Sequence, residues 1–140
     1  MREIEFRGKR VDNGKWAYGY YTKGYRCAER TLEDMIYSFD NNEFEYYIIK
    51  SNTLGQYTGL KDKNGTKIFD GDIVKYEDDS GYPSYDVFVN VGVIEYCGNA
   101  FWVSNRNRVD MQDLVYDTEG IMECEVIGNI HDNKLEEFYE

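Results

Sequence analysis

Along its first part the chain alternates between apolar and polar positions. Ile4 and Phe6 alternate with Glu3, Glu5 and Arg7, and Trp16, Tyr18 and Tyr20 alternate again after Asp12-Asn13-Gly14. A period of two is the strand signal, and Asn-Gly supplies the positive φ angles of a tight turn. Residues 3–21 are therefore expected to form a β-hairpin, with Ile4, Phe6, Trp16, Tyr18 and Tyr20 sharing one buried face. The period then changes. Leu32, Met35, Ile36 and Phe39 have helical spacing, behind Thr31 as a cap with Asp34 three residues later. This spacing predicts a short helix over residues 31–39, with an extended segment as the alternative for its second half. Residues 44–49, aromatic and β-branched, read as a strand.

Residues 57–76 carry the strongest local signal. Lys63-Asn64-Gly65-Thr66 is a second Asn-Gly turn, and Gly71-Asp72 bends the chain into Ile73-Val74-Lys75-Tyr76. Residues 77–84 are polar, hold Pro83 and read as a loop. The alternation then runs Tyr85, Val87, Val89, Val91, Val93, and Gly92 shifts it toward Ile94 and Tyr96 as a bulge would. Cys97-Gly98-Asn99 is expected to turn the chain into a strand over 100–103. One helical turn is expected near 110–116, a strand through Cys124, Val126, Gly128 and Ile130, and a short helix over 134–140. Short, glycine-bent strands favour a closed barrel, because closure removes exposed edges. The expected fold is mainly β (α+β). An N-terminal α+β subdomain with a β-hairpin covers residues 1–69. A C-terminal SH3-like small β-barrel with a helical tail covers 70–140.

Charge sharpens this division. The net charge is −11, from 16 Lys+Arg and 27 Asp+Glu. Residues 1–69 hold 12 of the basic and 10 of the acidic residues, and residues 70–140 hold 4 and 17. An acidic second half repels phosphate backbones. The basic excess lies in the first 30 residues, with 8 Lys+Arg against 4 Asp+Glu. Opposite charges in the two halves can attract within one chain or between copies, and a homo-oligomer is expected. Tyrosine supplies 14 of the aromatic residues, which suits half-buried strands. No stretch approaches the roughly 18 apolar residues of a membrane helix, so no membrane association is expected. The start, lacking an apolar core, is not read as a secretory signal. Three cysteines, an odd number, fit reduced thiols in a cytoplasm.

Catalytic and metal chemistry find little support. Cys27, Cys97 and Cys124 form no closely spaced pair and His131 is the single histidine, so no zinc site and no cofactor are expected. The run from Asp62 resembles the start of a calcium loop, but Lys67 and Ile73 stand where glycine and glutamate are needed. His131 is expected to be a solvated side chain beside Asp132. Asp70 and Asp72 flank Gly71 as bend residues rather than as an acid–base pair. Arg7, Lys9, Arg10, Trp16 and Tyr21 form a basic-aromatic patch of the kind that holds phosphates and stacks bases. The same residues also fit a hairpin whose rings face the core and whose charges face water.

The run Gly55-Gln56-Tyr57-Thr58-Gly59-Leu60-Lys61-Asp62-Lys63-Asn64-Gly65, continuing Ile68-Phe69-Asp70-Gly71-Asp72-Ile73-Val74, resembles the signature of the YopX family of phage and prophage proteins. The opening Arg2-Glu3-Ile4-Glu5-Phe6-Arg7-Gly8-Lys9-Arg10 and the close Val126-Ile127-Gly128-Asn129-Ile130-His131-Asp132-Asn133 agree with it. The resemblance implies a small phage-encoded protein of unassigned activity in a bacterial cytoplasm, and carries over no catalytic residues. The motif residues also read as fold determinants: glycines at bends, Asn-Gly in a turn, Ile73 and Val74 in the core. The expected function is non-enzymatic interaction with a host or phage protein. The alternatives are nucleic-acid association through the basic-aromatic hairpin, or an enzyme with an unrecognised site.

Overall fold

The computed structural model describes residues 4–25, 31–40, 43–78, 88–97, 100–104, 109–110 and 124–138. The chain divides into two compact units, Met1–Tyr57 and Thr58–Glu140. The expected division after residue 69 differs from this one by β6 and most of β5, described below, which belong to the second unit.

In the first unit β1 (Phe6–Lys9) pairs antiparallel with β2 (Trp16–Tyr25), β2 with β3 (Leu32–Asp40), and β3 with β4 (Glu43–Ile48). Gly14 N–H bonds Arg10 C=O, and Asn13 Oδ1 accepts the Lys15 N–H, which closes the hairpin turn. A 3₁₀ turn at Ser51–Thr53 leads into β5 (Gly55–Lys61), whose first residues pair with β1. Arg10 also bridges Ile49, so the end of β1 meets the end of β4.

The expected helix over 31–39 is a strand. Ile36 is wholly buried in this stretch while Leu32 is exposed, so the apolar residues do not act as one helical face. Pairing on both sides, Tyr21↔Ile36 with β2 and Ile36↔Tyr47 with β4, overrides the local spacing. Phe6 packs beside the core as expected, but on β2 the buried face is the opposite of the expected one. Ala17 and Ile36 form the core with Ile49, flanked by Phe6, Tyr21, Tyr47 and Leu54. Ile4, Tyr18 and Tyr20 are exposed and Trp16 is half-buried. Gly8 permits this arrangement, because a Cβ there would lie 2.4 Å from Ile49 Cδ1. Alternation identifies two faces; it does not say which of them a neighbouring element covers.

In the second unit β5 runs through the Asn64-Gly65 turn into β6 (Lys67–Phe69). Asp70-Gly71 then leads into β7 (Asp72–Asp78). A five-stranded antiparallel sheet follows in the order β10-β9-β8-β7-β11, with β8 Phe88–Cys97, β9 Ala100–Ser104, β10 Val109–Asp110 and β11 Cys124–Asn129. Its core is Ile68, Val74, Tyr76, Ile94, Val103 and Cys124, with Leu60 and Val126 packed against it. The bulge expected at Gly92 is not there, since β8 pairs with β7 in unbroken register. A register shift occurs in β11 instead, between Val126 and Gly128. A 3₁₀ turn at Leu135–Phe138 occupies part of the expected terminal helix. Of the expected loop over 77–84, Glu77 and Asp78 instead continue β7, paired with Val89 and Phe88; residues 79–84, Tyr85, Val87, the turn at Gly98-Asn99 and most of 110–116 lie outside the described residues. Among those described the fold is mainly β, in two antiparallel sheets.

Candidate functional site

Two groups of residues call for a functional reading: the family motif and the basic-aromatic patch. The motif residues act largely on backbone. Asp62 is buried, and its Oδ1 accepts the N–H groups of Asn64 and Thr66, both at 2.9 Å. Its Oδ2 accepts the Val126 N–H from β11, also at 2.9 Å. This explains why a carboxylate precedes the Asn-Gly turn: three N–H donors converge on it, and its two oxygens can take them all. Thr58 Oγ1 donates to Ile68 C=O and accepts the Leu60 N–H, holding β5 to β6. Asp72 is buried and accepts the Phe69 N–H at 2.8 Å, which closes the bend. Gly71, at φ +92°, donates its N–H to Ile94 C=O and accepts the Ile130 N–H. Ile73 is wholly buried.

Asn129 Oδ1 accepts the N–H groups of His131 and Asp132, while its amide donates to Asp132. Gly128 lies where a Cβ would meet Asn133 Oδ1 at 2.5 Å. Gly55, Gln56 and Tyr57 begin β5, where Phe6 faces Gln56, Arg7 faces Gly55, and Tyr57 N–H bonds Glu5 C=O. Gly59 takes φ +87°. Ile130, by contrast, is exposed.

The basic-aromatic patch divides. Arg7, Lys9 and Trp16 share one face of the hairpin: the guanidinium of Arg7 lies 4.5 Å from the Trp16 ring centroid and the Lys9 ammonium 5.5 Å. Arg7 itself is buried, at 6 % exposure, and cannot reach out to a phosphate. Arg10 is elsewhere, stacked 4.0 Å over Tyr47 and paired with Asp12 at 2.6 Å. The Asp12 carboxylate holds the Arg10 guanidinium above its ordinary pKa, and Asp12 is itself held down mainly by its bond to Arg10. Tyr21 points to the core side, against Phe6, and donates its hydroxyl to Asp34.

A larger feature occupies the face that carries Trp16. Tyr18 and Tyr20 on β2, Tyr37 on β3, and Phe44 and Tyr46 on β4 lie on one side of the sheet, as the register Tyr20↔Tyr37↔Tyr46 requires. Tyr20 and Tyr37 stack at 5.5 Å between centroids, Tyr37 and Phe44 meet at 5.8 Å, and Phe44 and Tyr46 at 6.3 Å. Tyr18, Tyr20, Phe44 and Tyr46 are each between 48 % and 55 % exposed. Sequence reading placed Tyr18 and Tyr20 in the core and Tyr37 in a helix, so the ladder escaped it. The signal that could have found it is the excess of tyrosine over phenylalanine at these positions, since a tyrosine hydroxyl favours a wet face.

On the opposite side, Asp34 collects hydroxyl donors from Ser51 and Tyr21. These bonds, that of Ser51 first, hold the Asp34 carboxyl below its ordinary range. Tyr21 is pushed up, first by its bond to Asp34 and then by desolvation. No imidazole is part of this cluster. Among the described residues no group of three or more His, Cys, Asp or Glu is placed to hold a metal ion, and no helix is long and apolar enough to cross a membrane.

The family model described as YopX protein matches residues 5–136. The chain belongs to the YopX family. Over 95 % of its length it also resembles the crystal structure of protein EF1440 from Enterococcus faecalis, at 25 % identity and a TM-score of 0.53, covering 96 % of that chain. No functionally curated protein matches it.

Proposed function

We propose that this YopX-family chain is a non-enzymatic protein-interaction module, phage- or prophage-encoded and acting in the bacterial cytoplasm. One observation carries the reading. A ladder of half-exposed rings on Tyr18, Tyr20, Phe44 and Tyr46 covers one face of the first sheet. Contiguous exposed rings mark interaction surfaces, and tyrosine is enriched in them. Host or phage proteins are the proposed partners, with a second copy of the chain also using this face in a homo-oligomer. The five-stranded unit is read more finely as a small SH3-like barrel, supported by its short antiparallel strands and the register shift in β11.

The nucleic-acid alternative is weaker on this geometry. Arg7 is buried and Arg10 is engaged by Asp12, so few cations remain beside the rings to neutralise phosphates. The test compares the wild-type chain with the Tyr20→Ser, Tyr46→Ser double variant in pull-downs from bacterial lysate. Partners retained by wild type and lost by a folded variant support the reading. Equal capture by both overturns it. A gel shift that weakens with salt would favour nucleic acid instead.

A further inference from the structure

We infer that Asn64 is a site of spontaneous deamidation, in which its side-chain amide closes on the backbone nitrogen of Gly65, and that the grip of Asp62 on the turn sets the rate. This goes beyond the interaction reading and does not depend on it.

The sequence supplies the reactive pair. Ring closure needs the following backbone nitrogen to reach the asparagine Cγ, and glycine, without a Cβ, gives the freest approach. The chain has two Asn-Gly pairs, Asn13-Gly14 and Asn64-Gly65. The reaction consumes only water. A bond forms between Gly65 N and Asn64 Cγ, the Cγ–Nδ2 bond breaks, and the Gly65 proton leaves with the amide as ammonia. Water then opens the cyclic imide at one of its two carbonyls. The product is aspartate, or isoaspartate with its longer backbone.

The fold separates the two pairs. Asn13 and Asn64 are both exposed, and a Cβ on Gly14 or Gly65 would meet nothing within 4 Å, so packing shields neither turn. The two asparagines are held differently. Asn13 is held by its side chain: its Oδ1 accepts the Lys15 N–H at 3.0 Å, which fixes the group that must move. Asn64 is held by its backbone, whose N–H donates to Asp62 Oδ1. The related isomerisation at Asp70-Gly71 is closed off, because Gly71 is buried and its N–H bonds Ile94 C=O at 2.8 Å.

Asp62 is the restraint on Asn64. The Gly65 N–H bonds Asp62 C=O at 3.0 Å and must leave it before the nitrogen can face Asn64 Cγ. Asp62 Oδ1 clamps the N–H groups of Asn64 and Thr66, one on each side of Gly65. The reaction therefore runs through local opening of the turn. An isoaspartyl backbone no longer brings both N–H groups to one oxygen, so the product keeps the turn between β5 and β6 loosened.

The test incubates the full chain in heavy-oxygen water at mildly alkaline pH and maps it by mass spectrometry. The oxygen label marks amides lost during incubation rather than in handling. In the folded chain Asn64 is expected to react several-fold ahead of Asn13. In urea the two should react at like rates, both faster than when folded, because there only the following glycine matters. Asp62→Ala should speed the loss at Asn64 about tenfold, the equivalent of one ordinary hydrogen bond, and leave Asn13 unchanged. Should that variant fail to fold, the folded and urea arms decide on wild type. Folded Asn13 reacting as fast as Asn64 overturns the site. A rate at Asn64 indifferent to urea, or to Asp62→Ala in a folded chain, overturns the control by Asp62.

Discussion

The carboxylate of Asp62 accepts the backbone N–H of Val126, 64 positions further along the chain, at 2.9 Å. Its other oxygen holds the turn residues Asn64 and Thr66. One buried side chain thus fixes the turn between β5 and β6 and fastens it to β11. Removing it leaves three N–H donors without their acceptor. A buried donor so orphaned costs about 1–3 kcal/mol, and water can reach those of the exposed turn. Asp62→Ala should therefore cost about 2–4 kcal/mol, and Asp62→Asn somewhat less. Urea unfolding measures this. An unchanged midpoint would place the role of Asp62 outside the fold.

Gly65 separates backbone strain from packing. Its φ is +83°, and a Cβ there would meet nothing within 4 Å. Gly65→Val should cost about 1–2 kcal/mol, the penalty for a branched residue in left-handed backbone. Partner binding should persist in the folded fraction. Binding lost at undiminished stability would make the turn a contact site.

The pair Tyr21 and Asp34 sets opposite limits to the pH range of stability. Asp34 is held below its ordinary range by the hydroxyls of Ser51 and Tyr21. Its contribution is present above the unfolded carboxyl pKa and is lost as pH falls through the folded one. Tyr21 is raised, chiefly by its bond to Asp34, so its contribution is present below the unfolded phenol pKa and is lost as pH rises through the folded one. Ser51→Ala should move acid unfolding toward higher pH and leave the alkaline limb in place. Tyr21→Phe should narrow the acid limb and remove the share of the alkaline dependence that Tyr21 carries, leaving that of Tyr47, which its bond to Glu45 also raises. Thermal melts across pH test this, and identical acid limbs in both variants and wild type would contradict it.

Ile94 and Val103 face each other in the β8–β9 register, and both are wholly buried in the second unit's core. Ile94→Ala should cost about 2–5 kcal/mol, the range for a large-to-small change in a packed core. A melting temperature unchanged from wild type would mean that this core is loosely packed.

What could be read in advance was what the chain fixes locally. Asn13-Gly14 and Asn64-Gly65 specify turns by their own backbone preferences, and Gly71-Asp72 specifies its bend, so these appear where expected. The choice between Ala17 and Trp16 as the inward residue depends on Ile36 and Ile49, distant in sequence. Residues 31–39 became a strand because β2 and β4 pair with them on either side. In β9, alternation offers two inward sets, Trp102 on one face or Phe101 with Val103 on the other. Val103 is buried in the core, while the side chains of Trp102 and Phe101 lie outside the described ones. Asp62 read as a turn residue; its bond to Val126 has no local signature. The candidate patch of Arg7, Lys9, Arg10, Trp16 and Tyr21 is divided by contacts of the same distant kind, since Arg10 stacks over Tyr47 and Tyr21 bonds Asp34.

Self-association is the last prediction, and the structure changes its expected cause. The charge asymmetry between the two halves suggested an electrostatic contact, with the basic residues of the first 30 positions meeting acidic ones. Two of those cations are already engaged: Arg7 is buried against Trp16, and Arg10 pairs with Asp12. The aromatic face is the larger resource. Burying apolar surface yields roughly 25 cal/mol per Å², and exposed ion pairs yield at most about 1 kcal/mol each. An oligomer formed through Tyr18, Tyr20, Phe44 and Tyr46 should therefore keep its mass in light scattering at both about 0.1 M and about 1 M salt, where exposed charges are screened. Tyr20→Ser with Tyr46→Ser should lower that mass. A monomer at both salt concentrations excludes self-association. An oligomer that dissociates in high salt would restore charge as the cause and leave the aromatic face to other partners.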